Sequence, residues 1–112
     1  YSDSRVFIKE LKLLCLKNFP KEEKYSLFSQ ISRAADSIIL NIAEGSDRGS
    51  DKDFARFLNT SHTSLNEVVA CLDIAFDNGY IEETELETWL IKAEQLADQL
   101  TEFRRKLLTN NN

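Results

Sequence analysis

Apolar residues recur along this chain at steps of three and four, the repeat of an α-helix that buries one face. Four such segments are separated by short breaks, and we predict helices over Ser4–Asn18, Lys21–Glu44, Asp51–Asn78 and Thr84–Leu108. Long helices joined by short loops pack antiparallel to their sequence neighbours. The pattern therefore predicts an all-α fold, an antiparallel up-down four-helix bundle.

The predicted core consists of one apolar stripe from each helix. Pro20 prevents simple continuation of the first helix into the second. The stripes are Phe7, Leu11 and Leu14; Phe28, Ile31, Ala35, Ile38 and Ile42; Phe54, Leu58, Ser61, Leu65, Val68, Leu72 and Ala75; and Leu86, Trp89, Ala93, Leu96, Leu100, Phe103 and Leu107.

The helix ends carry their own sequence signals. Gly45 and Gly79 are expected to end the second and third helices, because glycine adopts the left-handed conformation without steric strain. The spacing of a capping box occurs twice, in Ser50 with Asp53 and in Thr84 with Glu87.

Length and charge narrow the class of protein. The 112 residues suit one domain over 1–112, and the formal net charge of −5 disfavours general binding to RNA or to anionic membranes. No segment approaches the roughly 20 apolar residues of a membrane span. Cys15 and Cys71 lie in apolar segments, which predicts buried thiols in a reducing cytoplasm.

Catalytic and metal-binding patterns are missing from the sequence. His62 is the single histidine, and the residues three and four before it are Asn59 and Leu58, so it lacks the carboxylate partner of a bundle metal site. Cys71 is nine residues away on the same helix, too far to pair with His62 as nucleophile and base. We expect no metal, no cofactor and no enzymatic activity.

More apolar residues are present than one stripe per helix requires. Because each residue turns the helix by about 100°, Leu40 lies nearly opposite the core stripe of its helix. The full set of surplus residues is Leu13, Leu16, Leu40, Leu90 and Ile91. They form a candidate homo-oligomer surface, although single exposed apolar residues, or a broader core stripe, would also account for them.

A polar group near the end of the second helix is the other candidate site. Asn41 has poor helix propensity, and Glu44 lies near a helix C-terminus, where the helix dipole disfavours an acid. Arg48 is expected to pair with Glu44, and Glu67 to join them from the third helix. With Arg33, these residues form either a polar clamp that fixes the turn between helices or a partner contact.

The chain resembles the 23S ribosomal RNA intervening-sequence proteins, also called four-helix-bundle proteins, most clearly over residues 19–81. The residues that carry the resemblance are Phe19-Pro20-Lys21-Glu22-Glu23, Leu27, Gln30, Arg33-Ala34, Ser37-Ile38, Asn41-Ile42-Ala43-Glu44-Gly45, Arg48, Phe54, Phe57-Leu58, Ser64, Glu67 and Leu72. The resemblance implies an up-down bundle that assembles into rings, typically of five copies. The family is also similar to accessory proteins of diversity-generating retroelements, which help a reverse transcriptase handle RNA.

Two functions follow as hypotheses. The first is a non-catalytic homo-oligomer, a pentamer by resemblance, that serves as a scaffold for a protein partner. The alternative is an RNA-binding accessory module. The basic residues available to it are Lys9, Lys12, Lys17, Lys21 and Lys24, which also fit a simple solvated face.

Overall fold

The protein is an elongated bundle of four α-helices in a computed structural model that describes residues 1–109; Asn110–Asn112 lie outside the described residues. The helices are α1 (Ser2–Asn18), α2 (Leu27–Ser46), α3 (Asp51–Asp77) and α4 (Glu83–Thr109). No strand occurs in residues 1–109. The bundle measures 49 × 25 × 19 Å, and the all-α prediction is confirmed.

The core is built from most of the residues in the predicted stripes, but the assignment of Phe103 is wrong, because its side chain is 42% exposed near the end of α4. Leu11, Ile38 and Leu72 are completely buried, one each from α1, α2 and α3, and Trp89 of α4 packs edge-on against Phe7 of α1. α2 packs along most of α3, and α3 along most of α4, whereas α1 has a shorter contact with each of its neighbours. Grooves therefore remain on both sides of α1.

The start of α2 differs from the prediction. Lys21–Glu23 forms a short 3-10 turn, and the α-helix begins only at Leu27, after Ser26 has left the helical conformation at φ −124° and ψ −105°. The turn contains no buried residue, so no apolar face holds it against the bundle as a longer helix. Glu23 accepts a hydrogen bond from the Leu27 backbone N–H at 3.3 Å and caps the new helix.

The predicted role of Gly45 is wrong. Gly45 is buried inside α2, which continues to Ser46, and its φ is not positive. A Cβ at Gly45 would lie 2.7 Å from Phe57 Cβ and 2.8 Å from Phe54 Cδ1 of α3. The glycine is required by close helix packing rather than by helix termination.

Of the remaining predictions about helix ends, two are confirmed and one is wrong. Gly79 adopts φ 78° after α3, as predicted, and Ser50 accepts a hydrogen bond from the Asp53 N–H at 3.2 Å. The prediction that Thr84 and Glu87 form a capping box is wrong. Instead the Glu82 N–H donates to Glu85 Oε1 at 2.9 Å, because α4 begins one residue earlier than expected.

Candidate interaction surfaces

The outward face of α1 carries exposed apolar side chains. Leu13 is 57% exposed and Leu16 is 66% exposed, on the side of α1 away from buried Leu11. Val6 is 55% exposed and lies seven residues before Leu13, so it shares the same direction. The sequence reading missed Val6, although its i, i+7 spacing to Leu13 is a signal that could have found it.

The outward face of α2 carries Leu40, which is 63% exposed. α1 and α2 are joined near this point by an ion pair between Lys12 Nζ and Asp36 Oδ1 at 2.6 Å. Leu13, Leu16 and Leu40 are therefore exposed side chains on two helices that contact each other.

α4 presents a different surface. Ile91 is 58% exposed, whereas Leu90 is half-buried and contributes less to the outer face. Ile91 is surrounded on its helix face by the exposed acids Glu87, Glu94 and Asp98. The corresponding face of α1 carries Lys9 and Lys17 with one acid, Glu10, so its net charge is positive and the two faces differ in sign.

The polar group at the end of α2 is only partly assembled. The Arg48 guanidinium donates to Glu44 Oε1 at 2.5 Å and lies over the Phe57 ring, 4.9 Å from its centroid. Both partners of the ion pair are about half exposed, so solvent screens much of its attraction. The pair fixes the side chain of Arg48 over α3 at the α2–α3 turn.

Asn41 serves a separate network between α2 and α3. Its amide donates to the Ser37 backbone carbonyl at 2.8 Å and to Ser37 Oγ at 3.0 Å. The Ser37 hydroxyl also shares a hydrogen bond with the Ser64 hydroxyl of α3 at 2.8 Å. The poor helix propensity of Asn41 is offset by these contacts, which the sequence did not reveal because they depend on helix register.

Arg33 and Glu67 lie away from the Glu44–Arg48 pair. Arg33 Nε donates to the Ser29 carbonyl at 3.4 Å. Arg33 itself lies eleven residues before Glu44, which is about 16 Å along the axis of α2. Between residues 1 and 109, no hydrogen bond or ion pair joins Glu67 to Glu44 or Arg48. The structure does not gather all five polar candidates into one cluster.

A tyrosine–glutamate contact at the opposite end of the bundle was not predicted. The Tyr80 hydroxyl donates to Glu23 Oε2 at 2.5 Å, across 57 residues of sequence. The hydrogen bond from Tyr80 lowers the pKa of Glu23, and the same contact raises the pKa of Tyr80. Phe19 packs against the Tyr80 ring at a centroid distance of 5.6 Å, so this cluster ties the α3–α4 loop to the start of α2.

The cysteines are buried thiols. Cys15 and Cys71 are at most 1% exposed. Burial raises the pKa of Cys15 to about 12, with a smaller contribution from Cys71, and burial together with Glu67 raises the pKa of Cys71. Neither thiol is placed to act as a nucleophile at neutral pH.

The described part of the chain contains no group of three or more His, Cys, Asp or Glu side chains that could hold a metal ion. His62 is half-buried and lines a small cleft with Asn59 and Arg104. No helix among residues 1–109 combines the length and apolar character needed to cross a membrane.

Comparison with known proteins extends the motif resemblance. Residues 1–102 match the family model described as 23S rRNA-intervening sequence protein, which covers α1, α2, α3 and most of α4. No curated protein matches the chain. Since the match takes in far more than half of the sequence, the chain belongs to the 23S rRNA-intervening sequence protein family.

Proposed function

We propose that this protein is a non-catalytic homo-oligomer that works as a binding or assembly scaffold. The observation that carries the proposal is the exposure of Leu13, Leu16 and Leu40 on the outer side of α1 and α2. Burying a leucine side chain contributes about 1.5–3 kcal/mol. The core is complete without these residues, so they are available for contact with another chain.

Several further observations fit this proposal. The thiols are buried with raised pKa values, and no acidic side chain lines the cleft of the single histidine. Two buried cysteines suit a cytoplasmic protein. The family resemblance favours a ring of five copies, and the acidic remainder of the surface favours a protein partner over nucleic acid.

Light scattering of the purified protein at micromolar concentration tests the assembly. We expect a mass several times that of one chain, and a lower mass for Leu13→Asp and for Leu40→Asp, because each places a charge in a buried contact. Thr63→Asp, on the exposed face of α3, is the control and should leave the mass unchanged. A wild-type protein with the mass of one chain would contradict the proposal.

A second candidate function is an RNA-binding accessory module. The observation in its favour is a groove of about 580 Å³ between α1 and α2, lined in part by Arg5, Lys9 and Lys12. The net charge of −5 and the pairing of Lys12 with Asp36 weigh against it. Lys21 and Lys24 lie beyond the groove, beside a separate apolar pocket.

Binding to structured RNA in a salt titration separates the two functions. Binding that weakens steeply as salt rises, and that is lost in Arg5→Glu with Lys9→Glu, would favour the RNA module. The scaffold function predicts no measurable binding even at low salt.

A further inference from the structure

The outward face of α1 combines apolar and basic side chains in a regular order. Leu13 is exposed, and Lys9 and Lys17 lie four residues before and four residues after it. The exposed Glu10 lies three residues before it, so this face carries two cations and one anion. Both lysines are exposed, and neither forms an ion pair within residues 1–109. Residues four apart are neighbours on a helix surface, so one apolar side chain lies between two cations that lack partners.

The outward face of α4 has the same order with the opposite charge. Ile91 is exposed, with Glu87 four residues before it and Glu94 three residues after it. These two acids are exposed and likewise form no ion pair in the described part of the chain. Asp98 extends the acidic face by one further turn.

We infer that the outward face of α1 in one copy packs against the outward face of α4 in the next copy, an inference that rests on the proposed homo-oligomer. Placing Leu13 against Ile91 brings an apolar pair to the centre of the contact. The lysines lie about 6 Å along the helix on either side of Leu13, and the glutamates about 5–6 Å on either side of Ile91. Both cations therefore meet an acid in a single register.

Such a contact joins two different surfaces, so it is heterologous, and a pair of copies retains one free α1 face and one free α4 face. In a four-cornered bundle the outward directions of neighbouring helices differ by roughly 90°. Each added copy consequently turns the assembly, which favours a closed ring over a straight filament.

Charge-reversal variants test the register. The α1 variant carries Lys9→Glu and Lys17→Glu, and the α4 variant carries Glu87→Lys and Glu94→Lys. Each alone places like charges across the contact, and we expect its mass in light scattering to fall to that of one chain. A chain with all four substitutions restores opposite charges and should regain the wild-type mass. An equal mixture of the two variants should associate again, because every contact between the two variants pairs opposite charges, although only a ring with an even number of copies can alternate them completely.

The control variant carries Glu67→Lys and Asp73→Lys, which make the same charge change as the α4 variant on exposed positions of α3. It should keep the wild-type mass, and circular dichroism should show that every variant remains helical. If the wild type is oligomeric and the α1 and α4 variants keep its mass, the α1–α4 contact is overturned while the homo-oligomer stands. If the wild type is a monomer, both are overturned.

Discussion

Gly45 of α2 lies against Phe57 of α3 with no room for a side chain between them. A Cβ at Gly45 would be 2.7 Å from Phe57 Cβ, an atom attached directly to the α3 backbone. Rotation of the Phe57 side chain cannot relieve this overlap, so α2 and α3 would have to separate. The packing of the two helices at this point therefore depends on the absence of one methyl group.

We predict that Gly45→Ala destabilises the protein by about 1–2 kcal/mol. Overpacking a tight contact costs about 1–3 kcal/mol. The higher helix propensity of alanine relative to glycine offsets up to about 1 kcal/mol of this cost. Urea denaturation followed by circular dichroism measures the change. Gly49→Ala is the matched control, since nothing lies within 4 Å of a Cβ at Gly49. Equal midpoints for both variants would contradict the packing role.

Leu72→Ala tests the core. Leu72 is completely buried in the C-terminal third of α3, and we expect its truncation to lower the free energy of unfolding by about 2–5 kcal/mol. Ile74, two residues further along the same helix, is 44% exposed. Ile74→Ala should therefore show a clearly smaller loss, and a melting temperature unchanged by Leu72→Ala would refute the stripe assigned to α3.

The bundle itself was predictable because its signal is repeated. Each core stripe has several apolar residues at helical spacing, so a single irregular position does not hide the helix. The beginning of α2 was not predictable in this way. Residues 21–26 contain good helix formers, and only the absence of a buried side chain and the contact of Glu23 with Tyr80 show why the helix starts later.

The candidate surfaces show the same difference: features set within one helix were predictable, and features set by the alignment of two helices were not. The exposure of Leu40 and Ile91 follows from the 100° turn per residue, which depends only on position within one helix. The Glu44–Arg48 pair also lies within one chain segment, at i, i+4 spacing. The placement of Glu67 depends on how α2 and α3 align, and sequence spacing carries no information about that register.

The two cysteines should be unreactive in the folded protein. With a pKa near 12 for Cys15 instead of the usual value of about 8.5, its thiolate fraction at pH 8 is roughly a thousandfold smaller. We expect labelling by a thiol-specific reagent to be very slow in native buffer and complete for both thiols in concentrated urea. Rapid labelling of Cys15 under native conditions would show that α1 opens readily from the bundle.

The hydrogen bond from Tyr80 to Glu23 should make stability depend on pH at both extremes. The pKa of Glu23 is lowered in the folded state by this hydrogen bond first and by the Leu27 N–H second. The stability that the ionised Glu23 side chain contributes to the folded protein is therefore present above its unfolded pKa of about 4.3. This stability is lost as pH falls through the lower pKa of the folded state. The pKa of Tyr80 is raised, so its contribution is present below about pH 10 and is lost as pH rises through the higher folded value.

Tyr80→Phe isolates this effect, because the ring contact with Phe19 needs no hydroxyl. We expect the variant to melt at a lower temperature than the wild type between about pH 5 and pH 9, with the difference shrinking below about pH 4 and above about pH 10. Tyr25→Phe is the control, since Tyr25 is 87% exposed and should melt like the wild type throughout. If the difference in melting temperature between Tyr80→Phe and the wild type stays constant from pH 3 to pH 9, the Glu23 carboxylate does not contribute to the stabilisation.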